Sequence, residues 1–252
     1  MEASQPPEFI KLLANDLRWS LLKALTTSDF QVNELVTQLQ QPMNLISYHL
    51  KKMRDDALVT TRRSEADGRD IYYSLDLNRL HQMYLEAGMA LHPAMGLNSP
   101  SMDVSRLKHQ RVLFVCTHNS ARSQMAEGLL HHLSQGYLDV LSAGSHPTII
   151  HPDAIDAMDA MGIDIRHQQS SDLNNIVEQS FDYVITVCDK AREICPTFPN
   201  SGTPMHWSFP DPAIIQNDKE RIRAFQKTAQ QLKSRIEYFL STLPITHEES
   251  ES

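Results

Sequence analysis

Three things are missing from this sequence, and each absence narrows what the chain is. No run approaches the roughly 18 uninterrupted apolar residues of a membrane span, so no membrane association is expected. The opening Met1–Glu8 lacks the basic and apolar stretches of a secretory signal, which makes a cytoplasmic protein the expectation. No cysteine precedes Cys116, and the three present (Cys116, Cys188 and Cys195) form an odd set confined to the second half. That is a poor basis for a structural disulfide framework and directs attention to reactive thiols or metal binding. A formal net charge of −8 gives no bulk sign of nucleic-acid binding, although a local basic surface can sit on an acidic protein. What is present is 252 residues with 41% hydrophobic content, enough for packed cores and for one large or two ordinary domains.

Two domains are expected. Leu91–Ser101 carries two prolines, a glycine and two serines without a clear period, and reads as a linker. The expected division is a domain over residues 1–92, a linker over 93–108 and a second domain over 109–245. The acidic end Glu248–Ser252 is expected to fray.

The first domain reads as mostly α. Phe9, Leu12, Leu13, Leu17, Leu21, Leu22 and Leu25 recur at helical spacing, predicting one long helix or a pair. A short helix through Val32, Leu35, Val36 and Leu39 follows, and Pro42 suits the first turn of another, from about Met43 to Asp56. Two β-prone runs, Leu58–Arg63 and Asp70–Leu75, flank Ala66-Asp67-Gly68 as a hairpin tip. A last helix from about Asn78 to Ala90 is expected to bury Leu80, Met83, Tyr84 and Ala87. Helix–turn–helix followed by a hairpin is the order of a winged helix-turn-helix. Asn44, Ser47, Tyr48, Lys51 and Lys52 would then face bases and phosphates, with Arg62, Arg63 and Arg69 on the wing. The plainer reading is a solvated charged face, since Asp55, Asp56, Glu65 and Asp67 lie among them.

Ile46–Met53, then Ala57-Leu58-Val59 and the stretch Arg62-Arg63 … Gly68–Leu75, resemble the ArsR-type repressor family over roughly residues 8–90. The resemblance implies a homodimer formed by the first and last helices, bound to double-stranded operator DNA. The chain departs from arsenic-responsive members, which carry a cysteine pair where this sequence reads Asn33–Gln38. An arsenite site of three thiolates inside this domain is therefore excluded. His81, Glu86 and His92 match no metal-ligand spacing well and read as surface or dimer-interface residues.

In the second domain, Arg111–Val115 is a continuous β-branched and aromatic run, the mark of a buried parallel strand. It ends at Cys116, followed by Thr117, His118, Asn119, Ser120, Ala121, Arg122 and Ser123, after which a helix begins. A loop wrapping into a helix N-terminus aims amide N–H groups and the positive dipole end at one point, an oxyanion site. That field is expected to lower the Cys116 pKa, while Arg122 supplies a bidentate fork for anion oxygens. Ser120 and Ser123 hydroxyls are expected at the thiolate, and Asn119 as a brace for the loop.

The stretch Val112–Gly128, with Ser142-Ala143-Gly144, Ser171-Asp172 and Trp207 through Asp211-Pro212, resembles the low-molecular-weight tyrosine phosphatase superfamily, specifically its thioredoxin-coupled arsenate reductase branch. The resemblance spans residues 111 to about 240 and implies an α/β fold, a small parallel sheet flanked by helices. It implies Cys116 as nucleophile, Arg122 as anion clamp and Asp211 as general acid. Cys188 and Cys195 stand at the spacing of the reductase branch, and Ala213 follows Asp211-Pro212 where the phosphatases usually carry an aromatic residue. A cysteine relay is implied, with arsenate as substrate, arsenite as product, phosphate or sulfate as mimics, no tightly bound cofactor and a thioredoxin-like reductant. Asn119, Glu127, Ser142 and Asp172 match positions that surround potassium in related reductases. The expectation is a bifunctional arsenic-resistance protein. A phosphatase, or an oxyanion- or redox-sensing transcription factor with little turnover, remains as an alternative.

Overall fold

The computed structural model describes residues 6–92, 95, 103–199, 201–202 and 204–245. Its contacts divide the chain into two compact units, Met1–Ser101 and Met102–Ser252. Most of the expected linker, and the acidic end, lie outside the described residues. Residues 103–108, also expected as linker, belong to the second unit: Leu107 is buried and bridges Ile245, and Lys108 N donates to Pro244 O.

In the first unit the leucine-rich opening resolves into a pair, α1 (Glu8–Leu13) and α2 (Asp16–Thr27). The break has a local cause: Asn15 caps α2, its side chain accepting from Arg18 N at 3.0 Å. Helix α3 (Val32–Leu39) starts where Gln31 N donates to Glu34 Oε2 at 2.7 Å and ends at Gln40, in the left-handed region at φ 52°. Helix α4 (Met43–Asp55) turns Ile46, Leu50 and Met53, each 0% exposed, inward. Pro42 stands one position earlier than expected, at the N-cap rather than in the first turn. Strands β1 (Val59–Arg63) and β2 (Ile71–Leu75) pair antiparallel, Val59 opposite Leu75.

Helix α5 (Leu77–Leu91) departs from expectation on its apolar face. Ala87 is buried and Leu80 and Met83 are half-buried, but Tyr84 is 67% exposed. The helical period is right; a single chain does not supply enough partner surface to cover the stripe.

The second unit is a four-stranded parallel sheet in the order β4-β3-β5-β6, with β3 (Arg111–Cys116), β4 (Asp139–Gly144), β5 (Tyr183–Thr186) and β6 (Met205–His206). Helices α6 (Arg122–Leu133), α7 (Pro152–Asp159) and α8 (Asp189–Ile194) make the crossovers, and α9 (Asp218–Leu240) packs on α6 and α7. All-parallel strands need cover on both faces, which is why Val112 to Val115 is at most 1% exposed throughout. From β3 the chain crosses first to β4 on one side and then to β5 on the other. The topological switch point, where open α/β sheets bind ligands, is therefore the carboxyl end of β3. Cys116 occupies it.

Candidate active site

The Cys116 loop is shaped by hydrogen bonds on its outer side. The carbonyls of Thr117, His118 and Ser120 accept from His146 N, Thr148 N and His151 N at 2.9, 2.9 and 2.8 Å. In a planar trans peptide the C=O and the next N–H point opposite ways. Drawing these carbonyls outward thus turns the amides of His118, Asn119 and Ala121 inward. Asn119 N donates to Cys116 Sγ at 3.0 Å, as that geometry requires. Asn119 takes a left-handed φ of 46°, which asparagine tolerates better than most residues.

Asn119 is the brace that the sequence indicated. It is 0% exposed, and its Nδ2 donates to Ser123 Oγ at 2.9 Å and Ser142 Oγ at 2.7 Å, while Oδ1 accepts from Ser171 N at 2.7 Å. Ser123 Oγ in turn lies 2.8 Å from Cys116 Sγ. Ser123 therefore meets the thiol as expected, while Ser120 contributes its carbonyl to His151. Gly144, opposite Cys116 in the β3–β4 register, lies so close to the loop that a Cβ would come 2.6 Å from Thr117 O.

The expected lowering of the Cys116 pKa is not what the structure supports. Burial pushes the thiol up, and neighbouring Cys188 adds to this; the Ser123 hydroxyl, the Arg122 guanidinium and the Asn119 amide pull it down by less. Sequence reasoning counted the helix end and the arginine but had no measure of how completely the thiol is enclosed.

Arg122, 5% exposed, turns its fork to the opposite rim, Nη1 donating to Phe209 O at 2.9 Å and Nη2 to Asp211 Oδ2 at 2.8 Å. Arg122 and Asp211 thus share one site across a sequence gap of 89 residues. Asp211 also accepts from Ala213 N at 3.1 Å, which fixes its turn.

The other two thiols bracket α8. Cys188, 1% exposed, is its N-cap, accepting from Ala191 N at 3.4 Å. Its Sγ also lies 3.4 Å from Thr117 Oγ1, the residue next to Cys116. Cys195 is the C-cap, partly exposed, its thiol pushed up to about 11 by burial. Lys190 is exposed and Arg192 half-buried. His206 faces Thr186 and Asp189.

Three of the four potassium candidates meet. Ser142 Oγ donates to Glu127 Oε2 at 2.5 Å and accepts from Asn119, whereas the Asp172 carboxylate accepts from Asn174 N at 2.8 Å. Glu127 is pushed up to about 7 by burial, against the opposing pull of its bonds to Ser142. The oxygens of Glu127 and Ser142 suit a hard cation, but the Asn119 oxygen is already engaged by Ser171.

In the first unit, Asn44, Ser47, Tyr48, Lys51 and Lys52 are all exposed on one side of α4. Arg63 is exposed and donates to Gly68 O at 2.8 Å. Arg69 is bound bidentately by Asp67, and Arg62 is half-buried with Glu65 3.7 Å away. Sequence reasoning missed two features: the Thr117–Cys188 contact and the buried bonding of Asp189. The contact joins residues 71 apart, and in the sequence Asp189 is indistinguishable from an ordinary aspartate in the first turn of a helix.

The second unit is similar to known arsenate reductases. The arsenate reductase of Halalkalibacterium halodurans is 37% identical over 132 residues, 52% of this chain and 95% of that protein. Arsenate reductase 1 of Staphylococcus epidermidis is 38% identical over 133 residues, 53% of this chain and 97% of that protein. The arsenate reductase of Bacillus subtilis is 34% identical over 137 residues, 54% of this chain and 99% of that protein. Among solved structures, an arsenate reductase in the phosphate-binding state matches with a TM-score of 0.48 and 32% identity, covering 54% of this chain and 99% of that one. Residues 111–249, more than half of the chain, match the family model described as low molecular weight phosphotyrosine protein phosphatase, and the chain belongs to that family.

Proposed function

We propose that the second unit reduces arsenate through a relay of its three thiols. Cys116 attacks the arsenic of an arsenate held by Arg122 and the loop amides, and Asp211 gives its proton to the departing oxygen, which leaves as water. Cys188 then attacks Cys116 Sγ: an S–S bond forms, the S–As bond breaks, and its electron pair stays on arsenic, which departs as arsenite. Cys195 attacks Cys188 Sγ, freeing Cys116 and leaving a Cys188–Cys195 disulfide for an external dithiol of the thioredoxin type. Potassium, held by Glu127 and Ser142 beside Asn119, would supply a positive charge that braces the loop.

The observation carrying this reading is the Cys188 thiol 3.4 Å from Thr117 of the Cys116 loop, on a helix that ends in Cys195. Phosphate-ester hydrolysis needs Cys116, Arg122 and Asp211 but gives neither further thiol a task. The test is arsenate-dependent NADPH oxidation with thioredoxin and its reductase. Turnover should vanish in both Cys188→Ser and Cys195→Ser; aryl phosphate hydrolysis that survives both, without arsenate turnover, would instead make the unit a phosphatase.

We propose, second, that residues 1–92 form a winged helix-turn-helix that binds duplex DNA as an ArsR-type regulator. The exposed row Asn44, Ser47, Tyr48, Lys51 and Lys52 on α4, beside the β1–β2 hairpin, supports this. Ile10 on α1 and Tyr84, Met89 and Leu91 on the neighbouring α5 are exposed apolar side chains, a surface suited to a second copy of the chain.

A further inference from the structure

Behind the Cys188 helix lies a buried polar network that the chemistry above does not use. Asp189, the first residue of α8, is 0% exposed and His206 on β6 is 2% exposed. His206 Nε2 lies 3.1 Å from Asp189 Oδ1, and its Nδ1 lies 2.8 Å from Thr186 Oγ1 at the end of β5. Ser208 Oγ donates to the same Asp189 oxygen at 2.8 Å. Ser208 is three positions before Asp211, so one carboxyl group holds both the start of the thiol helix and the segment leading to the candidate acid.

The geometry of α8 gives this grip a consequence. Cys188 and Cys195 cap opposite ends of a six-residue helix. Seven helical steps of about 1.5 Å separate their Cα atoms by roughly 10 Å. A disulfide spans at most about 6.8 Å between Cα atoms. Joining the two thiols therefore requires α8 to unwind, and Asp189 ties its first turn to His206 on β6. A buried carboxyl group bonded to an imidazole and a hydroxyl is costly to pull away, because its hydrogen bonds in a dry interior must all be broken together.

We propose that Asp189 is a positioning residue that latches the Cys188 helix in the dithiol state through His206 and Ser208, and thereby sets how readily the Cys188–Cys195 disulfide is reduced. The proposal rests on the thiol relay above. The latch favours the dithiol form, so removing it shifts the equilibrium toward the disulfide.

The test uses the full chain with Cys116→Ser, which leaves Cys188 and Cys195 as the only cysteines. It is equilibrated with mixtures of reduced and oxidised dithiothreitol, the oxidised dithiol taking the two electrons and two protons released as the disulfide forms. The fraction of disulfide is read by mass after trapping free thiols. Adding Asp189→Asn should raise the ratio of reduced to oxidised dithiol needed for half reduction about tenfold, equivalent to ~30 mV for two electrons. Ser208→Ala, which removes one bond and leaves the carboxylate, should raise it about threefold and guards against an Asn variant that fails to fold. Midpoints unmoved in both variants, or melting temperatures lowered equally in the dithiol and disulfide forms, would make the network purely structural and overturn the latch alone. A Cys116→Ser chain that forms no Cys188–Cys195 disulfide would overturn the relay, and the latch with it.

Discussion

Gly144→Ala is the smallest change that separates the architecture of the site from its chemistry, since it alters no reacting group. Gly144 pairs in register with Cys116, and the added methyl would come 2.6 Å from Thr117 O and 2.8 Å from Asn119 N. Ordinary contact begins at 3.4 Å, so the loop must retreat by about 0.8 Å at the tighter point. Both obstacles are backbone atoms of the Cys116 loop, held from outside by His146 N, Thr148 N and His151 N, and cannot swing aside as a side chain would. Overpacking of this kind costs about 1–3 kcal/mol. Misplacing a reacting group by near 1 Å costs on the order of a hundredfold in rate. We therefore expect a melting temperature lower by a few degrees and arsenate turnover lower by about a hundredfold. Iodoacetamide alkylation of Cys116 should also change in rate, a readout that needs no assumption about substrate. Gly68→Ala is the control, because nothing lies within 4 Å of a Cβ there. Gly144→Ala with turnover within twofold of the parent and an unchanged alkylation rate would refute the argument that this contact shapes the loop.

Two further outcomes are expected. Glu127, raised from 4.5 to about 7 in the fold, binds its proton more tightly folded than unfolded, so its contribution to stability is present below pH 4.5 and is lost as pH rises through about 7. The loss amounts to about 2–3 kcal/mol between pH 5 and 8 in potassium-free buffer; urea midpoints at those two pH values should show Glu127→Gln escaping it, and parallel pH slopes would contradict the burial argument. In the first unit, Lys51→Ala and Lys52→Ala should each weaken binding to a mixed-sequence duplex and reduce the slope of log affinity against log salt by about 1, measured by fluorescence polarisation. Slopes equal to the parent's would mean that these lysines are a solvated face.

The parts of this protein whose physics is local were legible in the chain alone. A continuous apolar run before Cys116 is a buried parallel strand because only a sheet covered on both faces accepts one, and the loop after it enters a helix because Arg122 to Leu133 has the period for it. The order of helices and hairpin in the first unit was legible for the same reason, down to the short α3. Tertiary structure decided what depends on residues distant in the chain. Separations of 89 positions from Arg122 to Asp211, and of 71 from Thr117 to Cys188, carry no period or spacing that reports their meeting. Burial was equally hidden: the enclosure that raises the Cys116 thiol, and the interior placement of Asp189 beside His206, follow from how the sheet and its helices close over those side chains. Tyr84 shows the converse, an apolar residue at the right helical position that one chain leaves exposed, because periodicity states which face seeks cover and only packing supplies it.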